Sequence, residues 1–186
     1  LGTIDFTGDM PVILGPDGPS LGGFVCPATV VTAELWKLGQ LKAGDKVRFI
    51  PVSLDTAAAL ETEQNRSLQS LRKTTVEASA IEISSPIYER IASNEFGVRI
   101  TYRLAGDHFL LVEYGEQILD VNLRFRAHAL MLWLQEKNID GIYELTPGIR
   151  SLQIHYSSLT LSLDELISIL KQAEHELKDI EQLEVP

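Results

Sequence analysis

The sequence has few of the features that define several large classes of protein. It contains one cysteine, Cys26, so no disulfide can form within the chain, as is typical of a reducing compartment. Acidic side chains outnumber basic ones by 26 to 16, for a net charge of −10, and such a chain repels nucleic acids and anionic membranes. No apolar run approaches the roughly 20 residues that span a bilayer. We therefore expect no nucleic-acid partner, no membrane partner and a cytoplasmic location.

Motifs for metal and nucleotide chemistry are also missing from the sequence. The four histidines lack metal-ligand spacing and Cys26 has no second cysteine to assist it, so we predict no metal site. Neither a Walker-type phosphate loop nor a glycine-rich dinucleotide motif occurs. Cys26 lies in an apolar stretch, which is typical of a buried structural thiol rather than a nucleophile. Composition and spacing alone therefore identify no reaction.

Residues 1–52 have a β-rich pattern. Apolar runs at Met10–Leu14 and Gly22–Val31 predict strands, and Thr32 is placed to cap a brief helix. Lys46–Val52 alternates apolar and polar side chains, as a half-buried strand does. Two or three strands cannot close a barrel, so we interpret these residues as the last part of a β-domain. Together with the absent initiator methionine, this predicts an internal piece of a longer chain.

Residues 53–97 are interpreted as a partly helical connector between two folding units. Asp55 is placed to cap a helix that runs to about Arg72. Pro86 interrupts any regular element around it. The stretch has the composition of an ordered linker rather than of a disordered one.

Residues 98–186 have the clearest pattern, ββαββα, which predicts an antiparallel sheet with both helices on one face. The predicted elements are Val98–Leu104, Phe109–Tyr114, Val121–Lys137, Ile142–Leu145, Leu152–Tyr156 and a last helix through Leu183. Ser162 and Glu165 form a capping box at the start of that helix. Its many acidic residues, Glu174 among them, indicate a solvated face. Arg126 is interpreted as a surface charge with a packed stem.

Several stretches resemble two paired families of modules. Thr7–Leu14, Asp17–Cys26 and Leu41–Phe49 resemble the closing part of a Kip-type A domain. Tyr102–Asn122 and Leu145–Gln153 resemble the N-terminal part of the partner Kip-type I domain. The two modules occur fused, A before I, in the carboxyltransferase region of the urea carboxylase and urea amidolyase family, which the sequence therefore resembles outside its connector.

That resemblance implies an α+β fold in three parts. Residues 1–52 would be the terminal part of a cyclophilin-like β-barrel, residues 53–97 the helical connector, and residues 98–186 the ββαββα domain of Kip-type I. The implied activity is transfer of a carboxyl group from carboxybiotin to urea, giving allophanate, by a ligase of which this chain is a fragment without activity of its own. A Kip-type 5-oxoprolinase component or a kinase-inhibitor-like regulatory module is the alternative.

The resemblance also implies cofactors and partners. Biotin would be attached to another domain of the same polypeptide, and ATP and Mg would be used by another domain, so this fragment itself binds neither. Urea and carboxybiotin would be the substrates. The other domains of the polypeptide would be its partners.

Five residues are candidates for binding substrate, namely Gly22, Gly23, Phe24, Asp107 and Arg150. A carboxylate accepts from urea N–H groups, a guanidinium donates to the urea oxygen, and glycine lets backbone approach a ligand. Each type has a structural alternative: a β-bulge for the glycine pair, a turn residue for Asp107 and an ion pair for Arg150. Phe24 stands where many relatives have tyrosine, and the catalytic base stays unassigned.

Overall fold

The computed structural model divides into two units, each with its own antiparallel sheet. One unit contains Leu1–Ser84 and Ala105–Asp107, and the other contains Ser85–Leu104 and His108–Pro186. The residues that the structure describes are 1–17, 25–72, 76–83 and 85–177. Within these ranges, none of the helices combines the length and the apolar character that crossing a membrane requires.

The first unit has a three-stranded sheet followed by helices. Its strands are β1 (Thr3–Thr7), β2 (Met10–Ile13) and β3 (Val25–Thr29), in the spatial order β2-β1-β3. Its helices are a 3₁₀ helix (Thr32–Glu34), α1 (Leu35–Leu38) and α2 (Leu54–Ser70). The Gln64 side chain of α2 donates to the Ala33 carbonyl at 2.9 Å, and Ala57 is buried. These contacts attach α2 to the 3₁₀ helix.

Two sequence predictions for strands and thiols in this unit are wrong. Lys46–Val52 forms no regular structure, and its apolar members Val47 and Phe49 are each 48% exposed. The alternation of that stretch therefore matches no buried sheet face. Cys26 is exposed rather than buried, as are three of the other four residues of β3.

The helix caps in the first unit also differ from the predictions. Ser53, not Asp55, caps α2: it has extended backbone and its side chain accepts from the Thr56 N–H. Asp55 instead lies in the first turn, where its charge is favourable near the helix N-terminus. Val31 holds the cap position of the 3₁₀ helix without a side-chain bond, so Thr32 does not act as its cap.

The second unit confirms the predicted ββαββα order and adds one strand and one short helix before it. The strands are β4 (Ile87–Ile91), β5 (Ile100–Leu104), β6 (Phe109–Tyr114), β7 (Ile142–Pro147) and β8 (Ser151–Tyr156). The helices are α3 (Ser93–Phe96), α4 (Val121–Lys137) and α5 (Leu163–Glu176). The sheet order is β4-β5-β6-β8-β7, with every neighbouring pair antiparallel. The predicted extension of the last helix to Leu183 lies outside the described residues.

The core of the second unit lies on one face of this sheet. Alternate strand residues are fully buried, and they are Ile100, Tyr102, Leu110, Val112, Tyr114, Leu152 and Ile154. Both long helices pack against them through one cluster that includes Leu130, Leu134, Leu166 and Leu170. Because strand side chains alternate between faces, the intervening residues lie on the opposite face of the sheet.

The capping box at the start of α5 is confirmed. The Ser162 hydroxyl oxygen accepts from the Glu165 N–H at 3.3 Å, and a Glu165 carboxylate oxygen accepts from the Ser162 N–H at 3.0 Å. The Ser162 hydroxyl also donates to the same carboxylate oxygen. Hydrogen bonds from the Ser162 side chain and backbone lower the pKa of Glu165 below its ordinary value.

Ser162→Ala tests how much this cap stabilises α5. The variant is expected to lower the free energy of unfolding by about 1 kcal/mol near neutral pH, because an N-cap acceptor is lost. The pKa of Glu165 is lowered in the folded state, so the stabilisation from its bonds is present at higher pH and is lost as pH falls through that pKa. Guanidinium unfolding at neutral and acidic pH should therefore show a smaller difference between variant and parent in acid. An equal difference at both would contradict this account.

Candidate functional site

Arg150 is one of two predicted substrate-binding residues whose surroundings the structure describes. It lies between β7 and β8, directly before Ser151. Its Nη2 donates to Glu113 Oε1 at 2.8 Å and its Nη1 donates to the Tyr114 carbonyl at 3.2 Å. The Arg150 side chain is 20% exposed. The guanidinium is thus held from one side by β6, while its other N–H groups are the ones a ligand can bind.

Glu113 is shared between two arginines. Arg103 Nε donates to Glu113 Oε2 at 2.8 Å while Arg150 occupies Oε1. The strand neighbours of Glu113 belong to the core, so this Arg–Glu–Arg cluster lies on the opposite face of the sheet. Two guanidinium groups against one carboxylate leave an excess of positive charge. Such a group of donors suits a carbonyl oxygen or a carboxylate.

On the core side of β6, α4 and α5 supply a second charged group. Glu174 on α5 is fully buried, which overturns its prediction as part of a solvated face. Arg126 on α4 donates to Glu174 Oε2 from Nε at 3.2 Å and from Nη2 at 2.7 Å. Arg126 is 12% exposed, so its interpretation as a surface charge is also wrong. Glu174 follows Leu170 by one helical turn, which places it on the buried face despite its charge.

Tyr114 completes this buried group. Its hydroxyl donates to Glu174 Oε1, and the Arg126 guanidinium lies 5.5 Å from the centre of its ring. Arg126 Nη1 also donates to the Phe96 carbonyl at 3.1 Å. Burial and the Glu174 carboxylate raise the pKa of the Tyr114 phenol well above its ordinary value. The phenol therefore stays protonated and serves as a hydrogen-bond donor.

Tyr102 lies on the same face of the neighbouring strand but makes no such bond. Its ring is fully buried, and its hydroxyl has no hydrogen-bond partner in the part of the chain that the structure describes. Burial, with the negative charge of Glu174, raises the pKa of this phenol too. The two tyrosines therefore form a matched pair, one hydroxyl bonded and one not.

Removing each hydroxyl separates the hydrogen bond from the ring. Tyr114→Phe is expected to lower the free energy of unfolding by about 1–3 kcal/mol, because a buried carboxylate loses a donor. Tyr102→Phe is expected to change it by less than about 0.5 kcal/mol or to raise it, since an unpaired buried hydroxyl is removed. Guanidinium unfolding of both variants measures the difference. Equal losses of unfolding free energy in the two variants would show that the Tyr114–Glu174 bond does not stabilise the fold.

Asp107 is the other predicted residue that the structure describes, and it belongs to the first unit. It is 6% exposed. Its Oδ2 accepts from the Thr32 N–H at 2.7 Å and its Oδ1 accepts from the Thr32 hydroxyl at 3.2 Å. Asp107 thus supplies the cap that Thr32 was predicted to be, at the N-terminus of the 3₁₀ helix. Each carboxylate oxygen keeps a further lone pair that can accept from a ligand.

Glycine is required before Asp107 for steric reasons. Gly106 has a φ of +106°, and a Cβ there would lie 3.2 Å from Thr29 Cγ2. A side chain at this position would be strained by the backbone and crowded by Thr29. Within the first unit, Gly106 therefore lies close to Thr29, and the Asp107 carboxylate lies beside Thr32.

The remaining candidates for substrate binding are three predicted residues, and the structure adds two residues that were not predicted. Gly22, Gly23 and Phe24 lie outside the described residues. Among the residues with described positions, no three His, Cys, Asp or Glu side chains are grouped as metal ligands. The sequence reasoning missed the Arg103–Glu113 pair, although Thr101 faces Glu113 in the hairpin register and a diagonal contact is the usual reach of a long side chain.

The sequence reasoning also missed a buried carboxylate in the first unit. Asp5 is 4% exposed, and its Oδ1 has no hydrogen-bond partner in the described structure. The only sequence signal was a single acidic residue inside the short strand β1, between Ile4 and Phe6. Such a buried polar atom calls for a physical explanation, but no contact of the described residues supplies one.

Comparison with protein families identifies two matched segments. The model described as carboxyltransferase domain, subdomain A and B, matches residues 1–51. The model described as carboxyltransferase domain, subdomain C and D, matches residues 100–185.

Curated relatives match along almost the whole chain. The urea amidolyase of Lachancea kluyveri is 39% identical over 184 residues, which cover 96% of this chain and 10% of that protein. The urea amidolyase of Saccharomyces cerevisiae is 38% identical over the same length and shares. A putative urea carboxylase of Emericella nidulans is 34% identical over 214 residues, covering 100% of this chain and 17% of that protein. The chain thus spans about a tenth of the length of the two amidolyases.

Solved structures show the same similarity in three dimensions. The K. lactis urea amidolyase matches with a TM-score of 0.85 and 38% identity, over 95% of this chain and 11% of that one. The Kluyveromyces lactis urea carboxylase matches with a TM-score of 0.81 and 38% identity, over 95% of this chain and 16% of that one. The mixed α and β architecture with antiparallel sheets is therefore that of these proteins.

Proposed function

Because this chain belongs to the carboxyltransferase domain family, we propose that it forms part of the carboxyltransferase domain of a biotin-dependent urea carboxylase. The observation that carries the proposal is the similarity to two urea amidolyases along 96% of the chain. The similarity of fold to a urea carboxylase structure supports it. The alternatives, a 5-oxoprolinase component or a kinase-inhibitor-like module, have no support of comparable extent.

The proposal extends to the rest of the parent polypeptide. Biotin is attached to another of its domains, ATP and Mg are used by a further one, and these domains are the partners of this chain. Residues 1–52 end a cyclophilin-like β-barrel, residues 53–97 connect, and residues 98–186 form the Kip-type I domain. The three-stranded antiparallel sheet of the first unit is compatible with such a barrel. A cytoplasmic location accords with the single cysteine.

The reaction moves one carboxyl group between two nitrogens. A urea nitrogen forms a bond to the carboxyl carbon of carboxybiotin, and the bond from that carbon to the biotin ring nitrogen breaks. The proton that the urea nitrogen loses ends on the biotin ring nitrogen, so the products are allophanate and biotin. A site for this step has to hold both reactants in register and to supply donors for oxygens on which charge develops.

Arg150 is the proposed donor in this step. Its guanidinium is partly exposed and is fixed by Glu113 and the Tyr114 carbonyl. The planar group can give two parallel N–H bonds to a carboxylate, or one or two to the urea oxygen. The excess of positive charge in the Arg–Glu–Arg cluster favours the anionic carboxyl group that is transferred.

Asp107 is the proposed acceptor for urea N–H groups, and Gly22, Gly23 and Phe24 are proposed to line the substrate. The Asp107 carboxylate is held by two bonds from Thr32, so its orientation is set before a ligand arrives. Its remaining lone pairs are suited to the N–H groups of urea. The role of the glycine pair rests on close approach of backbone to substrate.

Asp107→Asn in the full-length enzyme tests the acceptor role. Asparagine can keep the bond from the Thr32 N–H but removes the negative charge. Urea-dependent ATP turnover is expected to fall tenfold or more, which corresponds to about 1.4 kcal/mol of barrier. Biotin carboxylation in the absence of urea should stay intact, because that chemistry belongs to another domain. Both rates are measured on the same preparation.

Thr32→Val is the matched control for this experiment. It removes the hydroxyl donor to Asp107 and leaves the carboxylate in place, so it should lower stability without a tenfold loss of urea-dependent turnover. Equal losses in the two variants would make Asp107 a helix cap only. Absence of urea-dependent ATP turnover and of allophanate in the unmodified full-length enzyme would overturn the proposed function itself.

A further inference from the structure

The buried ion pair and the proposed substrate arginine meet at one residue, Tyr114. On the core side, the Tyr114 hydroxyl donates to Glu174, which Arg126 also binds. On the other side, the Tyr114 N–H donates to the Arg150 carbonyl at 2.9 Å, and the Tyr114 carbonyl accepts from Arg150 Nη1 at 3.2 Å. The side chain of Tyr114 is thus fixed by the ion pair, and its backbone fixes Arg150 at two points.

The end of β6 lies between β5 and β8, where Tyr114 pairs with Ile100 and Glu113 pairs with Ser151. Tyr114 is the last residue of the strand, and the chain turns immediately at Gly115, which has a φ of +61°. Both acceptors of the Arg150 guanidinium, Glu113 Oε1 and the Tyr114 carbonyl, belong to the last two residues of β6. A shift of the strand end therefore moves both acceptors together and turns the guanidinium with them.

We propose that Arg126 and Glu174 are positioning residues that orient the Arg150 guanidinium toward substrate through Tyr114. This inference rests on the proposed function, since it gives Arg150 a substrate to bind. Arg126 and Glu174 lie on the core side of the sheet, away from the Arg–Glu–Arg cluster. Their effect on Arg150 therefore passes through Tyr114 at the end of β6. They join α4 and α5 to that strand end.

A purely stabilising role is a weaker explanation of the ion pair. Desolvating two charges in a core is unfavourable, and well-packed apolar residues often stabilise a fold as well or better. A paired carboxylate, unlike an apolar side chain, makes hydrogen bonds in fixed directions. Glu174 accepts from Tyr114 on one oxygen and from Arg126 on the other. Directional bonds fix the strand end in a way that apolar packing does not.

The test uses full-length enzyme with three variants: Tyr114→Phe, Tyr102→Phe and Arg150→Gln. Tyr114→Phe is expected to lower kcat/KM for urea by roughly tenfold, as small misplacements of a substrate-binding group do. It should leave urea-independent biotin carboxylation unchanged. Tyr102→Phe, which removes a hydroxyl without a described partner, should leave both rates unchanged.

The decisive measurement is the double variant Tyr114→Phe with Arg150→Gln. If Tyr114 acts through Arg150, kcat/KM for urea in the double variant should equal that of Arg150→Gln alone. Stability should still fall further in the double variant, because the Glu174 bond is lost in either background. Losses of kcat/KM that multiply would assign Tyr114 a general structural role and overturn the inference.

The single variants separate the positioning role of Tyr114 from the substrate role of Arg150. A normal kcat/KM in Tyr114→Phe beside a lowered one in Arg150→Gln would overturn the positioning role alone. A normal kcat/KM in Arg150→Gln would overturn both that role and the proposed substrate role of Arg150. If Tyr114→Phe fails to fold, Arg126→Lys replaces it, since lysine keeps the charge but cannot make both bonds to Glu174. The same expectations then apply to that variant.

Discussion

The second unit depends on one constraint: the Glu174 carboxylate is fully buried in its core. A buried charge is costly unless its oxygens are bonded. Here both oxygens are, one by the Tyr114 hydroxyl and the other by two nitrogens of Arg126. Because Glu174 lies on α5 and its partners come from β6 and α4, the requirement to bond one carboxylate fixes the mutual position of three elements.

The hydrogen bonding of Glu174 in the core also affects the opposite face of the sheet, because successive strand residues point to opposite faces. Tyr114 points into the core, and the residue before it, Glu113, points away from it. Glu113 there binds both Arg103 and Arg150. A fixed strand end thus serves two purposes, since it closes the core and orients the arginines of the polar face. The first unit uses a carboxylate differently, because Asp107 caps a 3₁₀ helix through Thr32.

Local patterns were sufficient to predict much of the second unit. Phe109–Tyr114 and Val121–Lys137 have the predicted bounds, and the capping box of α5 is present. Each depends on period, cap or turn chemistry within a few residues. Edge strand β4 was not predicted, because two of its five residues are charged and it follows Pro86. Its structure comes from pairing with β5.

The sequence by itself determined the order of the elements, the buried face of most strands and the family to which the chain is similar. Tertiary structure decided where the charges lie. An acidic side chain on a helix is normally solvated, and only the approach of Arg126 and Tyr114 allows Glu174 to be buried. Thr32 looked like a cap, yet Asp107, distant in sequence, provides it. Both outcomes depend on partners far apart in the chain, which no local pattern specifies, because hydrogen bonds between distant residues form only once the chain has folded.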